Sequence, residues 1–166
     1  MVLKFTGGGD AAVRQHYQEQ FEKLGIEPDR IDIYGWMSLK EHFELYNEVD
    51  IGLDTYPYHG TTTTFEALWM GVPVVTLAGR HHASLVGRSI LHRVGLDYFA
   101  AKSPGQFVAK ATGLASNPDA LAKIRSTMRQ RMSAGGLCDG RGYTKRLEQA
   151  YRQIWNNYCD NRTDSE

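Results

Sequence analysis

The strongest constraint on this chain is an alternation. Short apolar runs recur between stretches of helical spacing, and one of them, Pro73-Val-Val-Thr-Leu77, is apolar almost throughout. A strand with one wet face alternates polar and apolar residues, so a run without alternation predicts burial on both faces, as in a parallel sheet covered by helices. Strand-like runs also fall at residues 2–6, 31–34, 49–53 and 98–100. Between them the spacing predicts helices. The first follows Asp10, with Val13, Tyr17, Phe21 and Leu24 on one face and Gly25 closing it. The second follows Ser38, with Glu41 three residues on as a capping box and Leu39, His42, Phe43 and Tyr46 sharing a face. Further helices are expected over 61–70, 83–94, 103–115, 119–132 and 143–158. Strands alternating with helices build βαβ units, so the expected fold class is α/β, a Rossmann-like parallel sheet with flanking helices.

Composition narrows the function. Lys plus Arg and Asp plus Glu each number 19 in 166 residues, a formal charge of zero. That is not the clustered positive charge of a nucleic-acid partner. The longest apolar stretch, around 72–78, is too short to span a bilayer, and the N-terminal segment has no signal-peptide pattern. Cys138 and Cys159 are too few for a disulfide scaffold and lack metal-ligand spacing. No nucleic acid, no membrane and a cytoplasmic location are the expectations.

Chemistry concentrates in His59-Gly-Thr-Thr-Thr-Thr-Phe-Glu-Ala-Leu-Trp-Met-Gly-Val-Pro-Val-Val75. A strand ends, glycine permits a tight turn, and hydroxyls fill the first turn of a helix. Free amide groups and the positive end of the helix dipole make that position an anion site. Hydroxyls add donors without charge, which suits a diphosphate, and ligands of open α/β sheets collect at this end of the strands. The plain alternative is a threonine-capped helix, which needs one hydroxyl rather than four. Glu66, one turn on, would accept from ribose hydroxyls. His42 is either a half-buried residue of an amphipathic helix or a ligand contact. By contrast, Gly7-Gly8-Gly9 lacks the third glycine of a dinucleotide fingerprint and reads as a turn. The stripe Tyr143, Leu147, Tyr151, Ile154, Tyr158 reads as packing.

The run 59–75, preceded by Val49-Asp-Ile-Gly-Leu-Asp-Thr55, resembles the donor-binding half of GT-B glycosyltransferases. More narrowly it resembles the O-GlcNAc transferase/SPINDLY-type family, including bacterial members with tetratricopeptide repeats. Ser38-Leu-Lys-Glu-His42, Gly79-Arg-His-His-Ala-Ser84 and Gly142-Tyr-Thr-Lys-Arg-Leu-Glu-Gln-Ala-Tyr-Arg-Gln-Ile-Trp155 carry the same likeness, over nearly the whole chain. The resemblance implies that Thr61, Thr62 and Thr63 hold the nucleotide diphosphate, with Thr61 in place of a usual histidine that His59, beside Gly60, partly replaces. It places the ribose acid at Glu66 and a histidine near the uridine at His42. His81, His82 and Ser84 would line the far side of the sugar pocket.

The same resemblance implies a metal-independent, inverting transfer from a UDP-sugar, with UDP-GlcNAc as donor, to Ser or Thr of a protein acceptor. Residues 1–158 then form an incomplete nucleotide-sugar-binding domain, 143–158 a helix that buttresses the partner lobe, and 159–166 a flexible tail. Relatives place another strand, carrying a lysine, before residues 2–5. In a sheet of order 3-2-1-4-5-6 that strand is central. The expectation is an N-terminally truncated donor-binding portion, without its catalytic lobe and tetratricopeptide repeats and inactive alone. It would close its sheet by direct pairing across the gap or by self-association. Two other readings are an epimerase fragment acting on sugar nucleotides and a non-catalytic flavodoxin-like interaction module. The latter would want an acidic cluster at the strand ends, where this sequence has threonine, glycine and histidine.

Overall fold

Two separate parallel sheets organise the computed structural model, which describes residues 2–4 and 10–163. The expected Gly7–Gly9 turn lies outside those residues. The first sheet pairs β1 (Val2–Lys4) with β2 (Asp32–Tyr34), Leu3 opposite Ile33. The second has the order β3-β4-β5, from β3 (Gly52–Asp54), β4 (Val74–Leu77) and β5 (Ala100–Ala101). Both sheets are parallel. Among the described residues no ladder joins β1 to β3, so direct pairing across the sheet, one of the two routes expected for closing it, is not used.

The helices are α1 (Ala11–Lys23), α2 (Leu39–Leu45), α3 (Thr62–Trp69), α4 (Val86–Arg93), α5 (Pro104–Ala115), α6 (Pro118–Ala134) and α7 (Gly140–Thr163). Local chemistry starts several of them. Asp10 accepts from the Val13 amide at 2.9 Å, and Asn117 accepts from Ala120 at 3.0 Å ahead of Pro118 at the first helical position. Ser38 and Glu41 form the expected reciprocal box, which holds the Glu41 carboxyl below its ordinary range through the Ser38 bonds.

The core lies around β4, as its unalternating run requires. Val72, Val74, Val75 and Thr76 are buried, and Leu68 of α3, Leu91 of α4 and Met128 of α6 close over them with no exposed surface. Each such side chain contributes about 1.5–3 kcal/mol by leaving water.

Several boundaries depart from expectation. β3 begins at Gly52 rather than at residue 49, and of the expected strand 98–100 residues 98 and 99 belong to a 3-10 turn, Asp97–Phe99, that precedes β5. The stretch 83–94 begins as a 3-10 turn, His82–Ser84, before α4. Residues 140–142, outside the expected helix 143–158, are the first turn of α7, where the Asp139 carboxylate accepts the Gly142 amide at 2.8 Å. Nor does α7 stop at Tyr158. It runs to Thr163, through residues of the expected flexible tail, with no glycine or proline after Gly142 to end it.

Candidate functional site

Helix α3 starts at the carboxyl end of β3, and its N-terminus differs from those of α1, α2, α5 and α6. Thr61 occupies the N-cap yet makes no side-chain capping bond. The first-turn amides are therefore not satisfied by a cap, and the capped-helix alternative loses its basis. Thr62 and Thr63 project into a cleft of about 640 Å³ with Glu66. His42, Leu45 and Tyr46 of the α2 region form one wall, Val49 and Leu53 line its apolar part, and Asp54, Thr55 and Tyr58 complete it.

Inside the cleft the polar groups are already ordered. His42 Nε2 lies 2.9 Å from Glu66 Oε2, with both side chains mostly buried. The His42 ring meets Tyr46 edge-on, centroids 5.1 Å apart, and Tyr46 donates its hydroxyl to the Thr63 carbonyl at 3.2 Å. Burial, and secondly the negative charge of Glu66, pushes the Tyr46 phenol up to about 12. It stays a neutral donor across the physiological range. Glu66 thus keeps one oxygen paired with His42 while it lines the cleft.

Thr62, Thr63, Glu66 and His42 of the sequence expectation converge. Thr61 is exposed beside the cleft but outside its lining. Gly60 shapes the entry: a Cβ there would sit 2.2 Å from Thr63 Oγ1, so only glycine lets that hydroxyl fold back over the loop. The fourth threonine, Thr64, is buried and donates to the Gly60 carbonyl at 2.7 Å.

His59 is the correction. The expectation put it against the ligand, whereas it is only 1% exposed. Its Nδ1 accepts from the Gly87 amide at 3.2 Å, and its Nε2 donates to the Leu77 carbonyl at 3.0 Å. A ring satisfied on both nitrogens inside the fold has nothing left to offer the cleft. Ser84 is likewise buried and bonded within its turn, and His81 and His82 are exposed away from the cleft lining. Sequence reasoning passed over Tyr46 and Asp54 as site residues. The first was visible as the residue four after His42 on the same helical face. The second ends a strand where ligands gather.

Among the described residues no three His, Cys, Asp or Glu side chains assemble as a metal-ligand group, and no helix is long and apolar enough to cross a membrane.

Comparison with known proteins covers this whole region. The model of glycosyl transferase family 41 matches residues 1–147. A tomato (Solanum lycopersicum) protein named probable UDP-N-acetylglucosamine--peptide N-acetylglucosaminyltransferase SPINDLY is 44% identical over 150 residues, which are 90% of this chain and 16% of that protein. A Caenorhabditis elegans protein named UDP-N-acetylglucosamine--peptide N-acetylglucosaminyltransferase is 29% identical over 95% of this chain and 13% of its own length. Among solved structures, a mutant of the Thermobaculum terrenum O-GlcNAc transferase superposes with a TM-score of 0.88 at 33% identity, covering 96% of this chain and 31% of that one. The chain therefore spans about one sixth of the length of the curated plant relatives it matches. With nearly nine tenths of its residues inside the matching model, the chain belongs to glycosyl transferase family 41.

Proposed function

We propose that the cleft at the start of α3 binds the nucleoside diphosphate of a sugar donor, UDP-GlcNAc being the donor in the relatives' names. The observation that carries this reading is the uncapped α3 N-terminus flanked by Thr62 and Thr63. Backbone amides, aligned peptide dipoles and the Thr62 and Thr63 side chains border the same cleft, and pyrophosphate oxygens suit all of them. Thr61, at the mouth, adds a third hydroxyl. Glu66 accepts a ribose hydroxyl with its free oxygen while His42 holds the other. The apolar part of the cleft, Leu45, Tyr46, Val49 and Leu53, receives the base.

In the reaction proposed for the full-length protein, the oxygen of a Ser or Thr hydroxyl of a protein acceptor bonds to the anomeric carbon with inversion as the bond to the diphosphate breaks, and the hydroxyl proton passes to a base outside this chain, such as a donor phosphate oxygen. Negative charge builds on the departing diphosphate, and the α3 amides and threonine hydroxyls stabilise it. Aligning acceptor and donor needs a cleft between two lobes. This chain supplies the donor side.

Calorimetric titration of the 166-residue chain with UDP, GDP and UDP-GlcNAc tests the reading. Thr62→Ala and Glu66→Ala are each expected to weaken nucleotide binding about fivefold, the size of one lost hydrogen bond. Unchanged affinity in both variants would remove the assignment, and preference for GDP over UDP would redirect the choice of base.

A further inference from the structure

At the edge of the cleft, and running inward from it, lies a largely buried polar cluster that the proposed binding does not use. Asp54 ends β3 with its side chain 9% exposed, and His59 is fully enclosed beside it. Asp54 Oδ1 accepts the Gly60 amide at 2.9 Å, and Asp54 Oδ2 accepts the Thr76 hydroxyl at 2.7 Å. Thr76 belongs to β4 and has no exposed surface. Asp54 Oδ2 lies 3.4 Å from His59 Nδ1, the atom that takes the Gly87 amide of α4. Space for this convergence exists only because residue 87 is glycine: a Cβ there would stand 2.4 Å from Asp54 Oδ2 and 2.6 Å from Thr76 Oγ1.

A carboxylate in this position is costly on two counts. It is almost out of water, and it borders a cleft proposed to take an anion. Mere packing would be met by an apolar side chain without either cost. What the carboxylate does is hold the loop that turns into α3. Gly60 is anchored to Asp54 by its amide, and its carbonyl takes the Thr64 hydroxyl in the first turn of the helix. The direction in which Thr62 and Thr63 present their groups is thus referred back through two hydrogen bonds to the end of β3, and through a third, from Thr76 to Asp54, to β4.

We infer that Asp54, braced by Thr76, is a positioning residue that sets the diphosphate-binding geometry of the α3 N-terminus without touching the ligand through its own charge. This rests on the donor-site reading above. The sign of the effect separates it from electrostatics. If Asp54 acted only as a negative charge near the diphosphate, its removal would tighten binding. As a lock, its removal loosens the loop and weakens binding.

The experiment is UDP titration of the 166-residue chain by calorimetry, with folding of each variant checked by circular dichroism. Asp54→Ala is expected to weaken binding about tenfold, the loss of a charge-assisted hydrogen bond. Asp54→Asn, which keeps an acceptor for the Gly60 amide, should stay within about threefold of the unsubstituted chain. Thr76→Val keeps volume and charge while removing the brace, so it should weaken binding about threefold, and Thr76→Ser should restore it. Should Asp54→Ala not fold, the near-isosteric Thr76 pair decides. Binding as tight as, or tighter than, the unsubstituted chain in Asp54→Ala or Thr76→Val overturns the lock. If that happens while Thr62→Ala still weakens binding, the donor site stands and only the lock falls. If Thr62→Ala and Glu66→Ala also bind normally, both readings fall together.

Discussion

The two sheets of this chain use the same grammar and reach different ends. Around β3, β4 and β5 four helices close over the strands, and Leu68, Leu91 and Met128 lose all contact with water. In the region of β1 and β2 the described helix α1 buries no residue, and Val13 and Tyr17 on its apolar face remain 39% exposed. Both regions have capped helices and parallel ladders. What differs is enclosure: a strand buried on both faces needs helices on both sides, and among the described residues such covering is seen for the second sheet. Secondary structure can therefore be written into a segment whose burial depends on what else lies beside it.

Deleting core volume should open the widest difference between the regions. Leu68→Ala or Leu91→Ala is expected to cost about 2–5 kcal/mol in urea unfolding, while Tyr17→Ala costs less than about 1 kcal/mol. Equal losses would mean that the two regions unfold as one cooperative body. Hydrogen exchange probes the same division without substitution. Amides of β4 should exchange only through global opening, and those of α1 by local opening at much smaller free energy. A smaller contrast lies among helix starts. Asn117→Ala removes a bonded cap and should cost about 1 kcal/mol, whereas Thr61→Ala, with no capping bond to lose, should stay within about 0.5 kcal/mol. A full cap penalty at Thr61 would contradict the open α3 N-terminus.

The smallest effect is acid-dependent and confined to α2. The Ser38 bonds lower the Glu41 carboxyl below its ordinary 4.5, so the charged form is favoured in the folded state. That contribution is present above the unfolded value and disappears as pH falls through the lower, folded one. Below about pH 4.5 the α2 amides should lose protection in the unsubstituted chain, and Glu41→Gln should remove this dependence. Persistence of the dependence in the variant would locate it elsewhere.

Much of this was legible in the residues. Caps at Asp10 and Ser38 act locally, so short spacing suffices to find them. The run 73–77 announced its double burial for a similar reason. The convergence of His42 with Glu66 across 24 residues followed instead from a resemblance. His59 shows where reading by proximity fails. A histidine one residue before a glycine turn looks like a ligand contact, but which way its ring points is decided by Gly87, 28 residues later, where a missing side chain leaves room for it. Tertiary space of this kind has no local signature. Asp139 taught the reverse: its carboxylate accepts the Gly142 amide in the first turn of α7, three residues earlier than spacing alone had placed that helix.

The open start of α3 has a thermodynamic corollary. No lysine or arginine lines the cleft among the described residues, and its ionisable acids are Asp54 and Glu66. Within this described lining an anion would meet fixed dipoles and hydroxyl protons rather than a lysine or arginine side chain. Dipole fields decay over a few ångströms, inside the reach of Debye screening. Occupancy of this doorway would then respond to ionic strength less steeply than that of a site built from clustered lysines and arginines.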